Sequence, residues 1–136
     1  MVRNIVRDVN FLRIKSTPAG EEDRQLAKDL LDTLKANENA CVGMAANMIG
    51  VNKNIIVVNI GFANMIMYNP VIIRKTGPYQ VEEGCLSLMG VRATTRYQEI
   101  DVEFEDQEMK KHNQHFSGWT AQIIQHECDH LAGIII

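Results

Sequence analysis

The sequence predicts an α+β fold in which antiparallel strands pack around a C-terminal helix, with an amphipathic helix near the N-terminus. Two helical segments stand far apart: leucines at 26, 30 and 34 recur every fourth residue, and the second segment lies between Ser117 and Gly133. The residues between them form short runs typical of strands. Because these strands follow one another without intervening helices, the order favours α+β over an alternating α/β fold.

The first helix is predicted from about Glu21 to about Ala36. Pro18 and Gly20 precede an acidic start at residues 21–23, which suits the positive end of a helix dipole. The last helix is predicted over roughly Gly118 to Ala132, with Ser117 as its N-cap and Gly133 as its C-terminal stop.

The middle of the chain is predicted to form strands. Ile55 to Val58 is a fully apolar run, and Met65 to Ile73 is a second one that Pro70 interrupts, which indicates an edge or a bulge. Apolar residues at 100, 102 and 104 alternate with acidic ones, as in a strand with one solvated face. A turn at Asp106-Gln107 would join this strand to a hairpin partner over Lys110 to Phe116.

Composition narrows the class of protein. The 136 residues suit one domain spanning 1–136, and the chain is 46% hydrophobic and 23% charged, as in ordinary globular proteins. A net charge of −3 without a basic face argues against nucleic-acid binding. No run is long and apolar enough for a membrane span or a signal peptide, so we expect a cytoplasmic protein.

The sharpest motif is His126-Glu127-Cys128-Asp129-His130. Two histidines four residues apart on a helix point to the same side, so both imidazoles can bind one metal ion. Glu127 lies beside that face, where it can act as a general base toward water. The motif therefore predicts a metal-dependent hydrolase.

A catalytic site of this type needs a third protein ligand and an open position. Only six residues follow His130, and none of them is Glu, Asp, His or Cys, so the third ligand must lie upstream. Cys85 is the best candidate, because Gly84 before it permits a close backbone approach. Cys41 and Cys128 compete for the role, although Cys128 would point away from the metal-binding face of the helix.

Three segments in the same order resemble the signature motifs of the peptide deformylase family. They are Val42-Gly43-Met44-Ala45-Ala46-Asn47-Met48-Ile49-Gly50, Glu83-Gly84-Cys85-Leu86-Ser87 and Gln125-His126-Glu127-Cys128-Asp129-His130-Leu131. The resemblance covers nearly the whole chain. It implies an enzyme that removes the N-formyl group from the initiator methionine of nascent polypeptides at the ribosome, without binding nucleic acid directly and without a membrane.

The resemblance also implies a role for each matching residue. One divalent metal, natively Fe(II), would be held by Cys85, His126 and His130, although ligands of these types also suit Zn, Ni or Co. Glu127 would be catalytic, and the backbone N–H of Leu86 would help to hold the formyl oxygen. Val42 and Gly43 would line the substrate cleft. Outer partners that fix the motif loops would be Glu83, Arg92 and Asp129.

This sequence departs from the family pattern at two positions of the first motif. Met48 stands where the family has a Gln whose side chain donates to the developing oxyanion, and a thioether cannot donate. Cys41 replaces the first Gly. We therefore expect a deformylase of reduced activity, or one with a shifted substrate. Two alternatives stay open: a non-catalytic, metal-bound protein that binds peptides, and a metallo-amidase for another small acyl group.

Overall fold

Three α-helices and a five-stranded antiparallel sheet make up the part of the chain that the computed structural model describes, residues 1–85 and 87–136. The helices are α1 (Val9–Leu12), α2 (Arg24–Ala36) and α3 (Gly118–Leu131). The strands are β1 (Gly43–Ala45), β2 (Ile55–Asn59), β3 (Asn64–Cys85), β4 (Leu88–Glu105) and β5 (Lys111–Ser117). The α+β prediction is confirmed.

The strands are ordered β1-β2-β3-β4-β5, so each pairs with its neighbour in sequence. The ladder between β3 and β4 shifts register between Tyr68 and Val71, on either side of Pro70. Asn69 adopts a positive φ of 52° at the same place. The bulge predicted from Pro70 is therefore confirmed, since proline cannot donate to the ladder.

The helix α2 packs one apolar face on the sheet. Leu26, Leu30 and Leu34 are buried, and the helix contacts β2 and β1. A 3₁₀ turn over Glu21–Asp23 precedes it, so the predicted acidic start is present but is not α-helical. The prediction of an amphipathic helix in this region is confirmed.

The C-terminal helix α3 lies against β1, β2 and β4. Its N-cap is Ser117, as predicted, although the side chain of Ser117 makes no capping hydrogen bond with the described residues. The side-chain amide of Gln125 bonds both the N–H and the carbonyl of Tyr97, at 2.8 and 2.9 Å. Near the other end, Nδ2 of Asn47 donates to the carbonyl of His130 at 2.8 Å. These contacts fix α3 relative to β4 and to the segment after β1.

The long hairpin between Arg74 and Glu99 was not predicted. Most residues of β3 beyond Arg74 are exposed, so this part of the strand lacks the apolar alternation that marks a half-buried strand. None of the helices in the described ranges combines the length and the apolar character that crossing a bilayer demands.

Candidate active site

Three potential metal ligands converge where the hairpin meets α3. Cys85 ends β3, and His126 and His130 lie one turn apart on α3. One ligand atom from each lies within 4.8 Å of the others, and the two Nε2 atoms are 3.1 Å apart. Cys41 and Cys128 are not part of this group, so of the three cysteines the geometry selects Cys85.

The two histidines present the correct atoms for a metal. Nδ1 of His126 lies 2.8 Å from Oε1 of Glu83, which leaves Nε2 directed at the group. Burial, reinforced by the charges of His126 and Arg96, lowers the pKa of His130 to about 3. His130 is therefore a neutral imidazole, the form that binds metal ions. One cysteine sulfur and two imidazole nitrogens form a donor set that fits a divalent transition metal.

A buried carboxylate–guanidinium network supports His126. Arg96, 3% exposed, donates through Nη2 to Oε1 of Glu83 at 2.7 Å and through Nη1 to Asp129 at 2.6 Å. Burial opposes the ionisation of Glu83, but hydrogen bonds from His126, Arg96 and Gln122 outweigh it and lower its pKa to about 2. Glu83 is therefore a stable anion that accepts from His126.

The prediction that Arg92 fixes the motif loops is wrong. The arginine that bonds both Glu83 and Asp129 is Arg96. Arg92 lies directly opposite Glu83 in the β3–β4 register, but the carboxylate of Glu83 bonds Arg96. Arg96 is four residues further along the same face of β4, where α3 supplies Asp129 as a second carboxylate. The Nη1 atom of Arg92 is buried without a hydrogen-bond partner in the described ranges.

Glu127 is a buried carboxyl group beside the ligand group. It is 4% exposed, and its Oε1 has no hydrogen-bond partner among the described residues. Burial raises the pKa of Glu127 to about 7, although the neighbouring charge of His126 opposes the shift. A carboxyl group with such a pKa can both accept and donate a proton near neutral pH.

A cavity of about 250 Å³ opens in front of these residues. Its lining includes Val42 and Gly43, both predicted to contact substrate, and Met48. Met48 is 1% exposed, and its Sδ accepts the N–H of Ala45 at 3.5 Å. Leu86, predicted to hold the formyl oxygen, lies outside the described residues.

Trp119 and Gln122 are among the residues of the cavity wall that were missed from the sequence. Helical periodicity could have found them, because positions 119, 122, 123 and 126 share one face of α3. Trp119 is 62% exposed, which is unusual for so large an apolar side chain.

The fold and this site define the class of protein: a hydrolase with its H-E-x-x-H helix against an antiparallel sheet. The sequence profile of the polypeptide deformylase family matches residues 2–136. A peptide deformylase from Clostridium beijerinckii is 52% identical over 136 residues, which are 100% of both chains. The chain therefore belongs to the peptide deformylase family.

Solved structures agree with this assignment. Peptide deformylase from Thermus thermophilus superposes with a TM-score of 0.86 at 31% identity, covering 99% of this chain and 83% of that one. The deformylase of the Vibrio parahaemolyticus bacteriophage VP16T gives a TM-score of 0.88 at 31% identity, covering 98% and 99%. The resemblance predicted from the three motifs is thus confirmed, and neither alternative function gains support.

Proposed function

We propose that Cys85, His126 and His130 hold one divalent metal ion, and that Glu127 uses this centre to hydrolyse the N-formyl group of nascent polypeptides. The chain belongs to a family of metalloenzymes with this activity. The observation that carries the assignment of residues is the convergence of three ligand atoms within 4.8 Å beside the buried Glu127. By family resemblance the native metal is Fe(II).

A bound metal would supply Lewis acidity, both to activate water for attack and to polarise the formyl carbonyl. Glu127 takes a proton from the attacking water as the new C–O bond forms. The formamide C–N bond then breaks, and Glu127 passes its proton to the leaving nitrogen. Formate and a free N-terminal amine are the products. A pKa of about 7 suits Glu127 to both steps.

The strand β1 is positioned to bind the peptide. Among the described strands it lies at one end of the order, next to β2, so it is an edge strand of the sheet. Val42, just before the strand, and Gly43, its first residue, line the cavity. An extended peptide can add to such an edge through main-chain hydrogen bonds. We assign this role to Val42 and Gly43, and we assign the backbone N–H of Leu86 to the formyl oxygen.

The substrate and the cellular setting follow from the same proposal. Formylated chains are made in the cytoplasm, where we place this protein, and we expect it to act near the ribosome without contacting nucleic acid. The net charge of −3 is consistent with the last point.

The test is formate release from a formyl-methionyl peptide, with protein loaded anaerobically with Fe(II) or with Ni(II). We expect turnover by the parent and its near-complete loss in Glu127→Gln with the metal content unchanged. Glu103→Gln, an exposed carboxylate on β4, is the matched control. Equal activity of Glu127→Gln and parent would refute the assignment of Glu127. An acetyl-methionyl peptide in parallel distinguishes a deformylase from a broader amidase.

A further inference from the structure

We propose that Gln122 is a positioning residue that connects the wall of the cavity to the metal ligand His126 through Glu83. This inference rests on the proposed function, since it takes His126 to be a ligand. Gln122 lines the cavity, and its Nε2 donates to Oε2 of Glu83 at 2.8 Å. The other oxygen of Glu83 lies 2.8 Å from Nδ1 of His126. A continuous chain of contacts therefore runs from the cavity to the imidazole.

The position of the Glu83 carboxylate depends on donors at both of its oxygens. Oε1 faces His126 and accepts from Nη2 of Arg96 at 2.7 Å. Oε2 accepts from Nε of Arg96 at 3.0 Å and from Gln122. Without Gln122, Oε2 would keep, among the described residues, the longer bond from Nε of Arg96, a nitrogen that also lies 3.1 Å from Oε1. Arg96 would then hold the carboxylate without help from α3 at Oε2, so its orientation toward His126 would be less firmly fixed.

Gln122 is itself held in place. It precedes His126 by four residues on α3, so the two side chains lie on the same face, one turn apart. The hydroxyl of Tyr79 lies 3.4 Å from Oε1 of Gln122, which directs the amide nitrogen toward Glu83. Hydrogen-bonded partners of metal-binding histidines orient the ring, and their loss typically weakens metal binding by about 10- to 100-fold. We expect an effect of this size for Gln122.

The experiment compares Gln122→Met with the parent, because methionine keeps the length of the side chain and cannot donate. Gln114→Met, at an exposed position of β5, is the control for the same chemical change. Three quantities are measured: the Co(II) dissociation constant by competition with a chelator, the visible absorption of the Co(II) protein, and kcat and KM for the formyl peptide.

We expect Gln122→Met to bind Co(II) about 10- to 100-fold more weakly, with an altered Co(II) spectrum, and to lower kcat more than it raises KM. Gln114→Met should match the parent in all three. A change in KM alone, with the Co(II) affinity and spectrum unchanged, would overturn the inference. Gln122 would then be only a part of the cavity wall, and the proposed function would be unaffected. Failure of the parent itself to bind Co(II) would overturn both.

A second variant tests the route through Glu83. In a Glu83→Met background, Gln122→Met should change Co(II) affinity by less than about twofold, because the carboxylate that Gln122 positions is gone. An undiminished effect of Gln122→Met in that background would show that Gln122 acts on the centre by another route, and would overturn the proposal.

Discussion

Gly43 and Glu127 approach each other so closely that the glycine has no room for a side chain. A Cβ at Gly43 would lie 2.9 Å from Oε2 of Glu127 and 2.7 Å from Cγ2 of Ile123. Ordinary carbon contacts begin at about 3.5 Å. The start of β1 can therefore pack closely against the helix α3 because position 43 has no side chain. This contact places the proposed catalytic carboxylate beside the edge strand.

We predict that Gly43→Ala lowers kcat/KM for a formyl peptide by at least about 10-fold, because the added methyl group displaces Glu127 from its position. Formate release measures the effect. Metal content should be unchanged, since Gly43 is not one of the proposed ligands. Unaltered kinetics in this variant would mean that Glu127 tolerates displacement, which contradicts its proposed role.

Met48 allows a gain of activity to be tested. A Gln at this position could donate to the negative charge that develops on the formyl oxygen, and one such donor is typically worth about 100-fold or more in rate. We predict that Met48→Gln raises kcat, by up to about 100-fold. Met48→Leu, which replaces one non-donor by another, is the control and should match the parent. A rise in both variants would show that packing, and not hydrogen bonding, limits the rate.

Arg96 and Arg92 should differ sharply when each is replaced by methionine. Arg96→Met leaves Glu83 and Asp129 without their shared cation, and removing one partner of a buried ion pair costs about 3 kcal/mol or more. Arg92→Met should lower the free energy of unfolding by about 1 kcal/mol or less, because its Nη1 is buried without a partner among the described residues. Urea unfolding of the metal-free proteins measures both. Equal losses of unfolding free energy in the two variants would mean that Arg92 supports the site as much as Arg96 does.

His115 should make stability depend on pH. Hydrogen bonds to Asp101 and then Glu99, at 2.7 and 3.1 Å, raise its pKa above the ordinary 6.5. Because the folded pKa is raised, the stabilisation is fully present below about pH 6.5 and is lost as the pH rises through the folded pKa. The difference in Tm between parent and His115→Gln should therefore be largest near pH 6 and vanish by about pH 9. High salt should reduce this difference in Tm, because His115 is exposed and salt screens its charge interactions. A difference that persists at pH 9 would point to packing.

Much of the site could be predicted from the sequence because it depends on local spacing. Two histidines four residues apart share a helix face whatever surrounds them, so His126 and His130 were identified from their spacing alone. The alternation of Ile100, Val102 and Phe104 likewise identified a strand with one buried face, which is now part of β4.

Other features required the tertiary structure. Which cysteine completes the ligand group depends on how the β3–β4 hairpin meets α3, and local pattern left Cys41, Cys85 and Cys128 in competition. Arg96 replaces Arg92 as the partner of Glu83 for a similar reason. Both lie on one face of β4, and it is Arg96 that also reaches Asp129 on α3.

The sequence by itself determined the helix that carries the H-E-x-x-H motif, the order of the three motifs and the family to which they belong. The tertiary structure decided what surrounds that helix: the close approach of Gly43 to Glu127, the anion at Glu83 and the contact of Gln122 with it. The physical reason is the distance along the chain over which each effect acts. Helical and strand periodicity act over a few residues, whereas Glu83 and His126 are separated by 43 positions and meet only through the packing of α3 on the sheet.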